Sequence, residues 1–372
     1  MDEYDRLVRI KNVKKTVFRE RKQCFKEKKV EERQGQLGMW NENKVRIIDI
    51  AEELSVSTAT VSNVLHGKTK KISDATVRRV EKKLEERGYI PNMAATLLAR
   101  NNSRIIGVII NDHEKYEGHV LEDPFISAAV NHLADEIEKN HYYMMIKKTR
   151  DISQIVRFST MWNLDGMVVI GFCKADYQDL RELIRVPFVV YDGYFEKTAG
   201  ISDIRIDDLD GGRQAGAYLK RMGHREVLCI ADNEICMDLD RYRGLCEGLG
   251  QKADFLQIPM EKEKRKLFYE QQEEYIRRHT AVFAVSDYYA IDLMNFFLKK
   301  EIRIPQDISV IGFDGSREGL TVYPNLTSVW QDNEARARLA LELLLKMMAD
   351  STFFESVCIP VQLIERESVK KR

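Results

Sequence analysis

Along this chain the spacing of apolar residues changes once, near residue 104. Between Val45 and Gly88 it is helical. Ile47, Ile50, Ala51 and Leu54 share one face of RIIDIAEEL, and Val61, Val64 and Leu65 share one face of TATVSNVLHG. Ser73 then caps DATVRRVEKKLEERG, where Val77, Val80 and Leu84 line up and Gly88 closes the run. Three short amphipathic helices, the first two joined by the tight turn SVS, predict a helix-turn-helix domain over 44–90.

From Arg104 onward apolar runs alternate with helical stretches. RIIGVII, YYMMI, GMVVIG, PFVVYD, VLCIAD, AVFAVSD and ISVIGFD read as strands, and VCIPVQLIERES as the last strand pattern. AAVNHLADEIEKN and DGGRQAGAYLKRMG read as helices between them. This rhythm predicts parallel sheets covered by helices on both faces. Residues 104–372 are many for one such sheet, so two similar lobes are expected. Lobe 1 is placed over about 104–205 and 332–357, lobe 2 over about 206–331 and 358–369. The linker 91–103 contains PNMAATLLAR, whose good helix formers are too few to hold a helix alone in water. Residues 1–43 carry charge runs without an apolar stripe; a mobile basic extension is expected there, with a natural start near Met39.

Charge sharpens this division. The 372 residues balance at 59 Lys and Arg against 59 Asp and Glu, but unevenly. Residues 44–104 hold 12 basic against 7 acidic side chains and residues 1–43 hold 12 against 8, so the body carries the acidic excess. A basic head on an acidic body suits a polyanion partner for the head. No apolar run approaches the roughly 18 residues of a membrane helix, and no secretory signal opens the chain, so a cytoplasmic protein without membrane contact is expected. The cysteines Cys24, Cys173, Cys229, Cys236, Cys246 and Cys358 form no CxxC pair and read as reduced thiols. No metal, cofactor or phosphate loop is expected. His224 lacks a nucleophile partner and reads as structural, and the Asp207–Asp208 pair reads as a polar connection; no enzyme is expected.

Candidate chemistry lies in two places. At the start of the second helix, Ser57, Thr58, Ala59 and Asn63 form the face that a helix-turn-helix presents to the major groove. Asn pairs bidentately with adenine and an Ala methyl meets a thymine methyl. Ser57 and Ser62 can donate to phosphates, although Ser57 and Thr58 can equally serve as helix caps. In open parallel sheets, ligands bind beyond the carboxyl ends of strands. The polar and aromatic residues there are Asp123, Phe125, Asp192, Asp287 and Asp314, joined by Arg241 in RYRGL and Trp330 in LTSVWQD. Carboxylates, one Arg and aromatic faces suit a polyol, with a sugar preferred and a nucleobase as alternative. Each Asp can also be a helix N-cap.

The strings IIDIAEELSVSTATVSNVLHG, YIPNMAATLLA, RYRGL, IPQDISVIGFD, LTSVWQD and IPVQLIERES, in this order, resemble the lactose-repressor (LacI/GalR) family of bacterial transcription regulators. The resemblance implies an N-terminal all-α helix-turn-helix domain and a two-lobed α/β body like that of periplasmic binding proteins. It implies base reading by Thr58, Ala59 and Asn63, although many relatives carry Arg at the Asn63 position. It makes 91–103 a hinge helix that inserts Leu98 into the minor groove, with Asn92 and Arg100 at the DNA and Arg104 near phosphates. It implies effector contacts from Phe125, Arg241, Asp287 and Asp314, with Ser286 replacing a usual Asn. The partners expected are double-stranded operator DNA, a small effector and a second copy of the chain. Alternatives are a purine- or nucleoside-responsive regulator of the same fold, or a soluble sugar-binding protein. Only VKKR follows the last strand pattern, too little for the leucine-heptad helix that joins some relatives into tetramers, so a homodimer is expected.

Overall fold

The computed structural model describes residues 45–89, 102–172, 174–193 and 201–372. The expected extension, most of the hinge segment, and with it Asn92, Leu98 and Arg100, lie outside the described residues. The chain divides into two compact units between Ser103 and Arg104.

The first unit contains α1 (Ile47–Leu54), α2 (Thr58–Leu65) and α3 (Asp74–Glu86). Ser55 ends α1 in the left-handed region, at φ 54°, and the backbone N–H of Val56 returns to Ala51 O at 3.0 Å. Ser57 then opens α2 by accepting from Thr60 N at 3.1 Å, and Ser73 opens α3 by accepting from Thr76 N at 3.3 Å. Ile50, Ala51, Val61, Val64 and Val80 form the core. Leu65, Val77 and Leu84, expected inward, pack at its margin half-buried. Around it Arg79 donates to Leu54 O at 3.1 Å, and Lys83 and Arg87 pair with Glu53, tying α3 to α1.

The second unit holds two six-stranded sheets. In the first, β1 (Ile105–Ile110), β2 (Tyr143–Lys148), β3 (Gly166–Ile170), β4 (Phe188–Tyr191), β5 (Ser202–Ile206) and β11 (Ser356–Ile359) run parallel in the order β11-β5-β4-β3-β1-β2. The second contains β6 (Val227–Ala231), β7 (Asp254–Gln257), β8 (Ala281–Ala284), β9 (Ser309–Asp314), β10 (Thr327–Gln331) and β12 (Val361–Ile364), ordered β12-β10-β9-β8-β6-β7. Among the described strands only β12 is antiparallel to its neighbour. The helices α4 (Pro124–Lys139), α5 (Ile152–Met161), α6 (Lys174–Leu183) and α11 (Asn333–Ala349) belong to the first lobe. The second lobe has α7 (Asp208–Arg221), α8 (Cys236–Leu249), α9 (Lys262–Arg277) and α10 (Asp287–Lys299).

Three details differ from the sequence reading. VCIPVQLIERES is two strands in different sheets, because Pro360 cannot donate to a ladder and marks a crossing between lobes. The first and last crossings fall after Ile206 and Ile359, one and two residues beyond the expected 205 and 357. The strand SDIRI (β5) was not anticipated, since its Asp203 and Arg205 break the apolar run, although Asp203 is buried.

One packing contact positions the site. Gly212 and Gly216 of α7 face Gly244 and Gly248 of α8, each pair four residues apart and therefore on one helix face. A Cβ at Gly216 would stand 2.2 Å from Leu245 O, and one at Gly244 would stand 2.0 Å from Leu209 O. The two backbones thus touch, which carries Arg241 of α8 to Asp208 at the start of α7. An Ala at Gly216 gains roughly 0.5–1 kcal/mol of helix preference, yet parting the backbones costs about 1–3 kcal/mol. Gly216→Ala is therefore expected to lower the calorimetric unfolding midpoint; an equal or higher midpoint would show that the helices part freely.

Candidate functional site

On the first unit, the exposed start of α2 carries Thr58, Ala59 and Asn63, with Ser62 half-buried beside them. Asn63 is exposed, whereas Val61 and Val64 of the same helix are buried. The Ser57 hydroxyl is partly committed, since it caps the helix and shares a 2.9 Å hydrogen bond with Thr60 Oγ1.

In the second unit the carboxyl ends of both sheets meet in a polar zone built around Arg241. This side chain is 5% exposed; its Nε donates to Asp208 Oδ1 at 2.7 Å and its Nη1 to Val285 O at 2.6 Å. The guanidinium lies 3.7 Å from the centroid of the Phe313 ring. Burial pushes Asp208 up to about 6 against the opposing pull of Arg241. Asp314, at the end of β9, is held well above the ordinary carboxylate range by burial and by the neighbouring Asp287, with Arg241 pulling the other way. Gln331 Nε2 donates to Asp314 Oδ1 at 2.7 Å.

The remaining sequence candidates divide by what their polar atoms already do. Asp287 is 1% exposed; its oxygens accept from Ser328 Oγ at 2.6 Å and Ser316 N at 2.7 Å, while its own N–H donates to Asp314 Oδ2 at 3.3 Å. It shapes the turn that presents Asp314, and burial raises it to about 6. Ser286 caps α10 by accepting from Tyr289 N at 3.3 Å, and Asp123 caps α4 by accepting from Ile126 N at 3.1 Å. Asp192 accepts from Arg336. Phe125 packs 6.3 Å from the Tyr191 ring. Trp330 stands beside Asp314 in the β9–β10 register and is 38% exposed, so its ring is available to a ligand face.

Several residues that build this zone were not picked from sequence. Asp208, read as part of a polar connection, is buried as the partner of Arg241; helix packing alone reveals it. Arg336 of α11 is fully buried, bonded to Asp192 in its own lobe and donating from Nη1 to Gln331 Oε1 at 2.6 Å in the other. In NEARARLALELL it looks like any helix-surface charge. Its Nε and the Tyr191 hydroxyl are buried without a hydrogen-bond partner. Asp232 follows the run VLCIA as Asp192 follows PFVVY, and the same rule would have found it. It accepts from Tyr289 OH at 2.6 Å, and Asn233 bridges it to Asp238. Burial and the charge of Asp232 push Asp238 up to about 7.

Among the described residues no cluster of His, Cys, Asp and Glu fits a metal ion, and no helix is long and apolar enough to cross a membrane. The zone can do what hydrogen-bonding carboxylates and a fixed guanidinium do: grip a small polar molecule between two lobes.

Comparison with known proteins agrees with this anatomy. Residues 46–92 match the model of the lacI family of bacterial regulatory proteins, and residues 217–369 match that of the periplasmic binding protein-like domain. The transcriptional repressor PurR of Vibrio atlanticus is 28% identical over 341 residues, covering 87% of this chain and 98% of the repressor. The lac repressor dimer bound to operator and the anti-inducer ONPF superposes with a TM-score of 0.74 at 21% identity, over 88% of this chain and 99% of that one. A complex of the transcriptional regulator CelR with cellobiose gives 0.63 at 21% identity, over 87% and 100%. With residues 46–92 matched by the lacI family model, residues 217–369 by the periplasmic binding protein-like one, and a repressor similar over nearly its whole length, the chain belongs to the LacI family of DNA-binding transcription regulators controlled by small effectors.

Proposed function

We propose that this regulator binds a near-palindromic operator as a cytoplasmic homodimer and that a sugar or related polyol in the inter-lobe zone sets its DNA affinity. It acts by binding rather than by catalysis. The observation that carries the reading is the buried Arg241 beside Asp208 and Asp314 at the meeting of the lobes. Vicinal hydroxyls donate to a carboxylate while accepting from a guanidinium, and Trp330 and Phe125 offer faces to sugar C–H groups. The CelR complex, which holds cellobiose, has the same fold. The effector binds one lobe arrangement better than another, and that differential affinity shifts the population reaching the DNA. A thermal-shift screen of sugars and nucleosides tests the ligand class: a sugar should raise the midpoint, and a response to nucleosides alone would refute the polyol reading.

At the DNA, Thr58, Ala59 and Asn63 read base edges, and Ser57 and Ser62 meet phosphates. In the linker, Leu98 enters the minor groove, flanked by Asn92 and Arg100. Asn63→Ala should cost about 1–3 kcal/mol at one operator position and relax preference there. An equal loss on every operator variant would remove Asn63 from base reading.

For the effector, Asp314→Asn exchanges a carboxyl oxygen for an amide donor and leaves a ligand hydroxyl unsatisfied, a loss worth roughly 1–3 kcal/mol. The effector concentration for half-response should rise about tenfold, with operator binding in its absence unchanged. An unmoved midpoint would place Asp314 outside the contact set.

The acid chemistry gives a pH signature. Burial raises Asp208, the carboxylate beside Arg241, to about 6, so its charge is lost as pH falls through that value. A neutral carboxyl is the weaker acceptor for a hydroxyl, and effector affinity should therefore weaken as pH falls from about 8 to 5. Calorimetric titration across that range checks the slope; an affinity that strengthens toward acid would contradict it.

A further inference from the structure

The connection from β1 to α4 spans residues 111–123, against about 2–6 residues for an ordinary connection of this kind. It folds into two single-turn 3-10 helices, Glu114–Tyr116 and Val120–Glu122. Its tip takes left-handed backbone at Glu117, φ 50°, and at Gly118, φ 84°. A non-glycine residue holds that conformation at some cost, which its contacts must offset.

Those contacts reach both lobes. On its own lobe the loop is fastened to β2 and the residues after it: Lys148 Nζ donates to Gly118 O at 2.7 Å, and Arg150 Nη1 donates to Glu114 Oε1 at 2.9 Å. Toward the other lobe, Glu117 Oε1 accepts from the backbone N–H of Lys262 at 3.0 Å. Lys262 is the first residue of α9, whose own N-cap, Glu261, supplies no capping side chain. A carboxylate of lobe 1 therefore caps a helix of lobe 2, where orphan N–H groups and the helix dipole favour an anion. Beside it on the same loop, the Lys115 ammonium lies in the field of Asp232 and Asp238 of lobe 2 and of Asp123. Two cross-lobe attractions of opposite polarity thus come from one turn of the loop and its cap.

We propose that residues 111–123 form a strap that latches the two lobes together over the effector zone, with Glu117 and Lys115 as the residues that hold the latch. The idea rests on the inter-lobe placement of the effector but not on which effector binds. Neither residue touches the Arg241–Asp208 centre; both act through the lobe angle. The Glu117 contact lies at the solvent edge and holds that half of the latch only weakly, so the lobes can part and let a ligand enter.

The test uses the full chain without ligand. Hydrogen–deuterium exchange is followed in the first turn of α9, in the strap, and in α4 and β8 as references within each lobe. Glu117→Ala removes the acceptor and should speed exchange of the first turn of α9 by roughly two- to fivefold, the effect of losing one exposed charged contact. Glu117→Gln, which keeps an acceptor oxygen, should fall between Ala and wild type. Lys115→Met keeps the side-chain length, removes the charge, and should loosen the strap and the α9 terminus without touching the references. Small-angle scattering of both variants should show a larger radius of gyration than wild type. Unchanged exchange at α9 in Glu117→Ala overturns the latch. So does faster exchange of both references alike in both variants, because the loop would then be supporting the fold and not the lobe contact.

Discussion

The pairing of Arg241 with Asp208 is the contact on which the polar zone between the lobes depends. Two charges removed from water cost several kcal/mol each, and their mutual attraction rarely returns more than that. Such a pair adds little net stability, and a hydrophobic replacement would often serve folding equally well. Its position gives it another use. Asp208 begins α7 just after the chain enters lobe 2, and Arg241 lies on α8, whose glycines press against those of α7. The guanidinium also grips Val285 O at the end of β8 and sits 3.7 Å from the ring centroid of Phe313 of β9. One side chain therefore fixes two helices and two strand ends in register, with Asp314 beside it.

From that centre a polar chain runs across the lobes. Asp287 holds the turn of Asp314, Gln331 joins Asp314 to Arg336, and Arg336 reaches Asp192 in lobe 1. Gln331 lies at the end of β10, where the chain passes from one lobe to the other. A ligand that draws on Asp314 therefore competes with, or reinforces, bonds that set the lobe angle. Raised carboxyl groups throughout the zone reflect the same crowding, since burial outweighs the available cations.

The fold was largely legible in the sequence because its elements obey simple periods. The three helices of the head follow from apolar spacing, and Ser57 and Ser73 mark where two of them begin. The central strands are continuous apolar runs, as sheets buried on both faces require. What escaped was decided by tertiary contact. Asp203 is a buried charge inside a strand, and Arg336 is a buried charge inside a helix. Asp208 meets Arg241 only because glycines elsewhere let two helices touch. The candidate site was legible where the strand-end rule applied, at Asp192, Asp287 and Asp314, yet sequence could not say that Asp287 turns inward while Asp314 remains beside Arg241. Pro360 was visible all along, but its meaning as a crossing between sheets needed the strand partners on either side.

Regulation by linkage makes a demand that no static contact can fake. If the effector changes operator affinity by some factor, operator must change effector affinity by the same factor. The direct measurement is calorimetric titration of the sugar selected by thermal shift into the full-length protein, free and saturated with operator, alongside operator binding with and without that sugar. Equal factors well removed from one are predicted. A sugar that binds with the same affinity to free and operator-bound protein would contradict control of DNA binding from the inter-lobe zone.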